Sequence, residues 1–155
     1  MPALPDRTVS EGRVSYRARS RARRCLLQAL YQWQLTGGEV RDVINQFLEG
    51  SEIRGADRDY FTTLMLAIGE SVDELDRELE PLMDRSPERL DPVEHAALWI
   101  GAHELLHHPE VPLRVVINEA VELAKTFGGE QGHGFVNAVL DRLGARVRQL
   151  EAGVR

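Results

Sequence analysis

The chain has 155 residues, a formal charge of −6 and 43% apolar residues, enough for one domain with its own core and too acidic to bind nucleic acid over its whole surface. Its single cysteine, Cys25, excludes an internal disulfide and suits a reducing, cytoplasmic compartment. No apolar run approaches the ~20 residues of a membrane span, and the N-terminus lacks the apolar stretch of a secretory signal.

The charge is unevenly placed. Residues 1–24 hold seven arginines against Asp6 and Glu11, whereas the remainder holds 12 basic against 23 acidic residues. Solubility asks for no such segregation, so the basic edge implies a local anionic partner or an acidic surface on which it docks. Residues 1–15, with Pro2, Pro5 and Gly12 and few apolar side chains, read as a flexible tail. Residues 16–150 are then one folded domain, followed by a tail over 151–155.

Residues 17–33, RARSRARRCLLQALYQW, predict a helix with two faces. Ala22, Leu26, Ala29, Leu30 and Trp33 follow the spacing of a buried stripe. Arg17, Arg24 and Tyr31 recur every seven residues, with Arg21 and Gln28 between them, and form a second stripe that faces outward. Arginine suits phosphate because its planar fork donates two parallel hydrogen bonds and keeps its charge, and a neighbouring aromatic ring offers a base a surface for stacking. A solvated basic helix end is the bland alternative, and the charge segregation argues against it.

Thr36-Gly37-Gly38 stops this helix, and a short one follows through Val40, Val43, Ile44, Phe47 and Leu48. Asp57 caps a long third helix reaching about Leu79 or Met83. Ser86-Pro87 and Asp91-Pro92 are two cap-then-proline starts so close together that the first must be short. The helix from Asp91 ends before Pro109, Pro112 opens the next, and Gly128-Gly129 closes it. A last helix carries Val136, Val139, Leu140, Leu143, Val147 and Leu150. No stretch alternates with period two, so the fold is all-α.

Several residues invite chemistry. His103-Glu104-Leu105-Leu106-His107 matches H-E-x-x-H, the helix spacing that holds zinc and a general base in metalloproteases. No second motif supplies a third ligand, and Pro109 puts His107 in a last turn where the helix dipole alone favours it. The motif therefore reads as structural, and no catalytic residue, metal or cofactor is assigned.

Gly128, Gly129, Gly132 and Gly134 read either as a helix-terminating loop or as backbone N–H groups on which a phosphate sits. Phe135 lies just off the apolar stripe, a position that packs in cores more often than it stacks on bases, and His133 is open between the same readings. Trp33 belongs to the core. Trp99 lies off the Ala96–Ile100 stripe and is expected at the surface as an anchor for a protein partner. Glu94 occupies a first helical turn, where a carboxylate favours the dipole.

Val116-Ile117-Asn118-Glu119-Ala120-Val121-Glu122-Leu123-Ala124-Lys125 and Phe135-Val136-Asn137-Ala138-Val139-Leu140-Asp141, with RARRCLLQALYQWQL in the first helix and Val93-Glu94, resemble the NusB family of bacterial transcription antitermination factors. The resemblance runs over roughly residues 17–146. It implies an all-α fold of two packed three-helix units and a binding protein, not an enzyme. It further implies single-stranded boxA RNA and the ribosomal protein NusE as partners, within an RNA polymerase complex that resists termination on ribosomal RNA operons. By position in the family motif, Arg19, Arg21, Arg23 and Arg24 are the RNA contact with Tyr31 nearby, His133 and Phe135 lie where RNA also passes, and Tyr31 and Glu94 face NusE. Some relatives dimerise through the RNA-binding surface, so a homodimer belongs among the partners. Gly134 stands where relatives often carry a basic residue, Ser20 interrupts the arginine run, and His103 replaces a common tyrosine.

Overall fold

A helix of thirty residues, α1 (Arg7–Thr36), sets the frame. The structure is a computed structural model that describes the backbone of residues 7–152 and the side chains of 16–149 and Glu151. α1 starts inside the stretch expected to be a tail, while residues 1–6 lie outside the described residues. Past Pro5 the strongest helix breaker is Gly12, at about 1 kcal/mol, and a helix nucleated by its packed half propagates through it. Gly37 and Gly38, at φ +70° and +89°, end α1, and the Gly37 N–H donates to the Trp33 carbonyl at 2.8 Å.

α2 (Val40–Glu49) buries Val43, Ile44 and Phe47. In α3 (Arg58–Leu79), Asp57 Oδ1 accepts the Tyr60 N–H at 3.0 Å, and Tyr60, Phe61, Leu64, Met65, Ile68, Leu75 and Leu79 are buried. Short 3-10 turns at Glu80–Leu82 and Pro87–Arg89 lead to α4 (Pro92–His107), capped by Asp91 Oδ2 on the Val93 and Glu94 N–H groups. α5 (Leu113–Phe127), α6 (Gly132–Val147) and the short α7 (Gln149–Ala152) complete the described chain. α1, α2 and α3 form one three-helix unit and α4, α5 and α6 the other, with α4 packed on α1 and α3 at the join. Gly101 lets α4 and α6 approach, since a Cβ there would lie 2.5 Å from Leu140 Cδ1.

α4 is buried on nearly every side from Val93 to Leu105. A helix that is apolar all round is a core helix, so position off one stripe does not mean exposure. Trp99, expected as a surface anchor, is 5% exposed; its Nε1–H donates to Asp76 Oδ1 at 2.9 Å and its ring lies 4.0 Å from that of His95. Arg148 interrupts the expected last helix and turns inward, donating to the carbonyls of Glu104, Leu105, His108 and Val111, so a cation satisfies the C-terminal end of α4. Among the described residues there is no strand, and no helix is long and apolar enough to cross a membrane.

Candidate nucleic-acid interface

α1 buries Ala22, Leu26, Ala29 and Leu30, which rotates Arg17, Arg21 and Arg24 to the exposed side and leaves Tyr31 39% exposed. The loop between α2 and α3 lies along this face. Arg21 Nη1 donates to the Arg54 carbonyl at 3.3 Å, and Gly55, at φ +76°, sits against the same guanidinium, where a side chain would collide. Arg54, itself exposed, is thereby set beside Arg21. Sequence periodicity gave no sign of it, because it comes from a loop 33 residues away. Arg19 is half-buried: its guanidinium lies 4.6 Å from the Tyr60 ring centroid and its Nε 3.7 Å from Asp57 Oδ2. Stacking holds it at the rim.

Arg23 does not reach this face. It is 2% exposed, with Nε 3.0 Å and Nη2 2.8 Å from the two oxygens of Glu104 and Nη1 2.9 Å from Glu119 Oε1. The Tyr60 hydroxyl also donates to Glu104, and Ser20 Oγ donates to Glu119 at 2.6 Å. Burial opposes the charge on Arg23, but the hydrogen bonds and charge of Glu104 outweigh it and hold the guanidinium protonated above its ordinary range. Burial first, then Glu104, pushes the Tyr60 hydroxyl upward as well. The assignment of Arg23 to the RNA contact is therefore corrected: α1 packs on α4 and α5 along this side, and Arg23 neutralises their carboxylates.

The same network absorbs the H-E-x-x-H segment. Glu104 is fully buried and committed to Arg23 and Tyr60. His103 is buried with Nδ1 unpartnered, and burial, then His107 and His108, pushes its pKa down to about 4.

A separate groove has Tyr31 on one wall and Asp91, Val93, Glu94, Phe127 and Gln131 around it. Burial, then Asp91, raises the Glu94 carboxyl above its usual range, and Arg85 opposes the rise. An acidic groove with an aromatic wall suits a cationic protein segment better than phosphate. Beside it runs an apolar trough of Leu27, Tyr31, Leu35, Phe47, Val93 and Phe127, and Leu35, which helical periodicity does not single out, is 59% exposed.

α6 starts at Gly132, so the expected glycine link supplies its first turn. His133 and Phe135 are half-buried there, and Arg85 from the α3–α4 connection lies over the Phe135 ring.

The NusB family model matches residues 20–145. The chain belongs to the NusB family. A transcription antitermination protein NusB of Nitrosococcus oceani is 50% identical over 133 residues, 86% of this chain and 89% of that one. One of Shewanella amazonensis is 48% identical over 128 residues, 83% of this chain and 96% of that one. Among solved structures, T. maritima NusB shares the fold at TM-score 0.77 and 24% identity, covering 87% of this chain and 96% of its own. A chain from the crystal structure of antitermination factors NusB and NusE in complex with dsRNA matches at TM-score 0.65 and 26% identity, over 80% of this chain and 93% of its own. The NusB match spans Arg21, Arg24, Tyr31, Glu94, His133 and Phe135, whereas Arg17 and Arg19 lie before its first residue.

Proposed function

We propose that this chain is a transcription antitermination factor that binds the boxA segment of ribosomal RNA operon transcripts together with the ribosomal protein NusE, in the cytoplasm, and joins an RNA polymerase complex without catalysing a reaction. The observation that carries the reading is the exposed row Arg17, Arg21 and Arg24 on α1, beside Arg19 and Arg54, on a chain that is otherwise acidic. Phosphate contacts from this row fix the position of the strand, and sequence preference comes from unpaired bases meeting aromatic surfaces and polar edges. Tyr31, Glu94 and the adjoining apolar trough face NusE, so the two partners occupy separate surfaces and each raises the affinity for the other. The solved complex of a relative with NusE and dsRNA supports this pairing of partners.

The test is fluorescence anisotropy with a short single-stranded boxA RNA and a scrambled control, across salt, with and without NusE. Preference for boxA that sharpens with NusE is the expected result. Binding of NusE with no RNA binding would replace the proposal by a protein-interaction module. A homodimer closed over the arginine row would appear as RNA binding that weakens as protein concentration rises, checked by sedimentation.

A further inference from the structure

The seam between α5 and α6 carries side chains that neither helix asks for. The short connection 128–131 folds the two helices back on each other, and Gly144 draws them together at the far end, since a Cβ there would lie 2.5 Å from Leu113 Cδ1. A cleft along this seam is lined by Arg114, Asn118, Asn137 and Asp141, with the buried Ile117 beneath them. Glu151 closes its end, Oε2 accepting the Leu113 N–H at 2.8 Å. Asparagine is a poor helix former, yet Asn118 and Asn137 both stand inside helices. Arg114 sits in the first turn of α5, where the dipole opposes a cation, and Asp141 has no cation three or four residues away on its own helix. All four are exposed, and among the described residues none of them makes a side-chain hydrogen bond or ion pair. Local rules broken together in one cleft, with no gain inside the fold, mark a place where the gain comes from a ligand.

A carboxamide donates and accepts in one plane, which matches the C=O and N–H of an extended peptide. The α6 wall of the cleft, from Asn137 to Ala145, is ~12 Å long at the helical rise, room for three or four extended residues at ~3.3 Å each. Asp141 and Glu151 outnumber Arg114, so the cleft repels a phosphate backbone and favours a segment that brings a cation. None of its residues lines the Tyr31–Glu94 groove or belongs to the arginine row of α1, so partners on those surfaces leave it open.

We propose that the α5–α6 cleft is a third binding surface, which takes a short extended peptide segment of the RNA polymerase complex bearing a lysine or arginine. Asn118 and Asn137 hold its backbone, Arg114 donates to one of its carbonyls, and Asp141 meets its cation. This rests on the antitermination reading above, to which it adds the contact that joins the chain to the polymerase.

The experiment immobilises purified RNA polymerase elongation complexes whose transcript carries boxA, adds the chain with NusE, and follows its dissociation on washing. Immobilised boxA RNA without polymerase is the reference. Wild type is compared with Asp141→Lys and with the pair Asn118→Leu and Asn137→Leu, and NusE calorimetry, boxA anisotropy and thermal melting are run on each. Both variants are expected to leave the elongation complex about tenfold faster than wild type, at unchanged affinity for NusE and boxA and undiminished melting temperature. Should the asparagine pair melt early, Asp141→Lys alone decides. Wild-type dissociation rates in the variants overturn the proposal and leave the antitermination reading standing, as does a wild-type chain that leaves the elongation complex no more slowly than it leaves the reference RNA. Weaker boxA binding by the variants would assign the cleft to RNA, weaker NusE binding would assign it to NusE, and either overturns the proposal. A wild-type chain that binds neither boxA nor the elongation complex removes both readings.

Discussion

Arg23 and Glu104 close a two-pronged ion pair in the middle of the molecule, 81 residues apart in sequence, with Nη2 to Oε2 at 2.8 Å and both side chains at most 3% exposed. Through Glu119, Ser20 and Tyr60 the pair ties α1 to α3, α4 and α5. α1 thus presents its arginines from a fixed base.

Removing one partner of that pair leaves a buried charge unanswered. Glu104→Ala is expected to lower unfolding free energy by ~3–5 kcal/mol, measured by urea titration at neutral pH. Replacing the group together, Arg23→Met with Glu104→Leu and Tyr60→Phe, removes the need for compensation and should recover most of the loss. A single-variant cost below ~1 kcal/mol would mean that water screens the pair.

Exposed and buried arginines on the same helix should separate cleanly in RNA binding. Arg24→Ala is expected to lower the log–log salt slope by about 0.7 at unchanged melting temperature. Arg23→Met should lower the melting temperature and leave the slope alone. Equal slope losses in the two variants would put Arg23 in contact with RNA and overturn the placement.

How far the sequence could be read follows from which faces have one neighbour and which have several. The stripe on α1 separated Ala22, Leu26 and Leu30 from Arg17, Arg21 and Arg24 correctly, because a helix on the outside of a bundle has one wet side. Arg23 and Ser20 lie between the stripes, and only packing against two further helices decides them. For α4 the single-stripe reading fails altogether at Trp99, although the near-continuous run from Val93 to Leu105 with a centrally placed Trp signals a helix surrounded by others. Both helix starts at Ser86-Pro87 and Asp91-Pro92 were legible because proline at the first helical position is local chemistry, although only Asp91 caps with its side chain and Ser86 opens no more than a 3-10 turn. Arg54, Leu35 and Arg85 were not, since a loop side chain acquires its setting only from distant elements.

In the proposed complex, the groove and trough around Tyr31 offer NusE an aromatic and aliphatic anchor beside an acidic wall. Tyr31→Ala and Leu35→Ala are each expected to weaken NusE binding by ~1–2 kcal/mol in calorimetry, about tenfold, because such anchors dominate interface energetics. RNA binding by the isolated chain should be unaffected by Leu35→Ala. A defect in RNA binding alone would move Tyr31 to the other surface.

His103 supplies a pH dependence whose sign is fixed by burial. In the folded protein its pKa is pushed down to about 4 from an ordinary 6.5, by burial first and then by His107 and His108. Above pH 6.5 the ring is neutral in folded and unfolded chains alike, and stability owes nothing to its titration. As pH falls from 6.5 towards 4, the unfolded chain takes up a proton that the folded one refuses, so stability declines by up to ~1.4 kcal/mol per pH unit. Between pH 7 and pH 5 that amounts to ~2 kcal/mol. Carboxylates and the remaining histidines titrate in the same chain, so the measurement is a comparison of urea midpoints at the two pH values for wild type and His103→Phe, a ring of similar size with no proton to gain. The variant should lose ~2 kcal/mol less than wild type on acidification. Equal losses would mean that the folded protein accommodates the imidazolium, which the unpartnered Nδ1 and the two neighbouring imidazoles oppose.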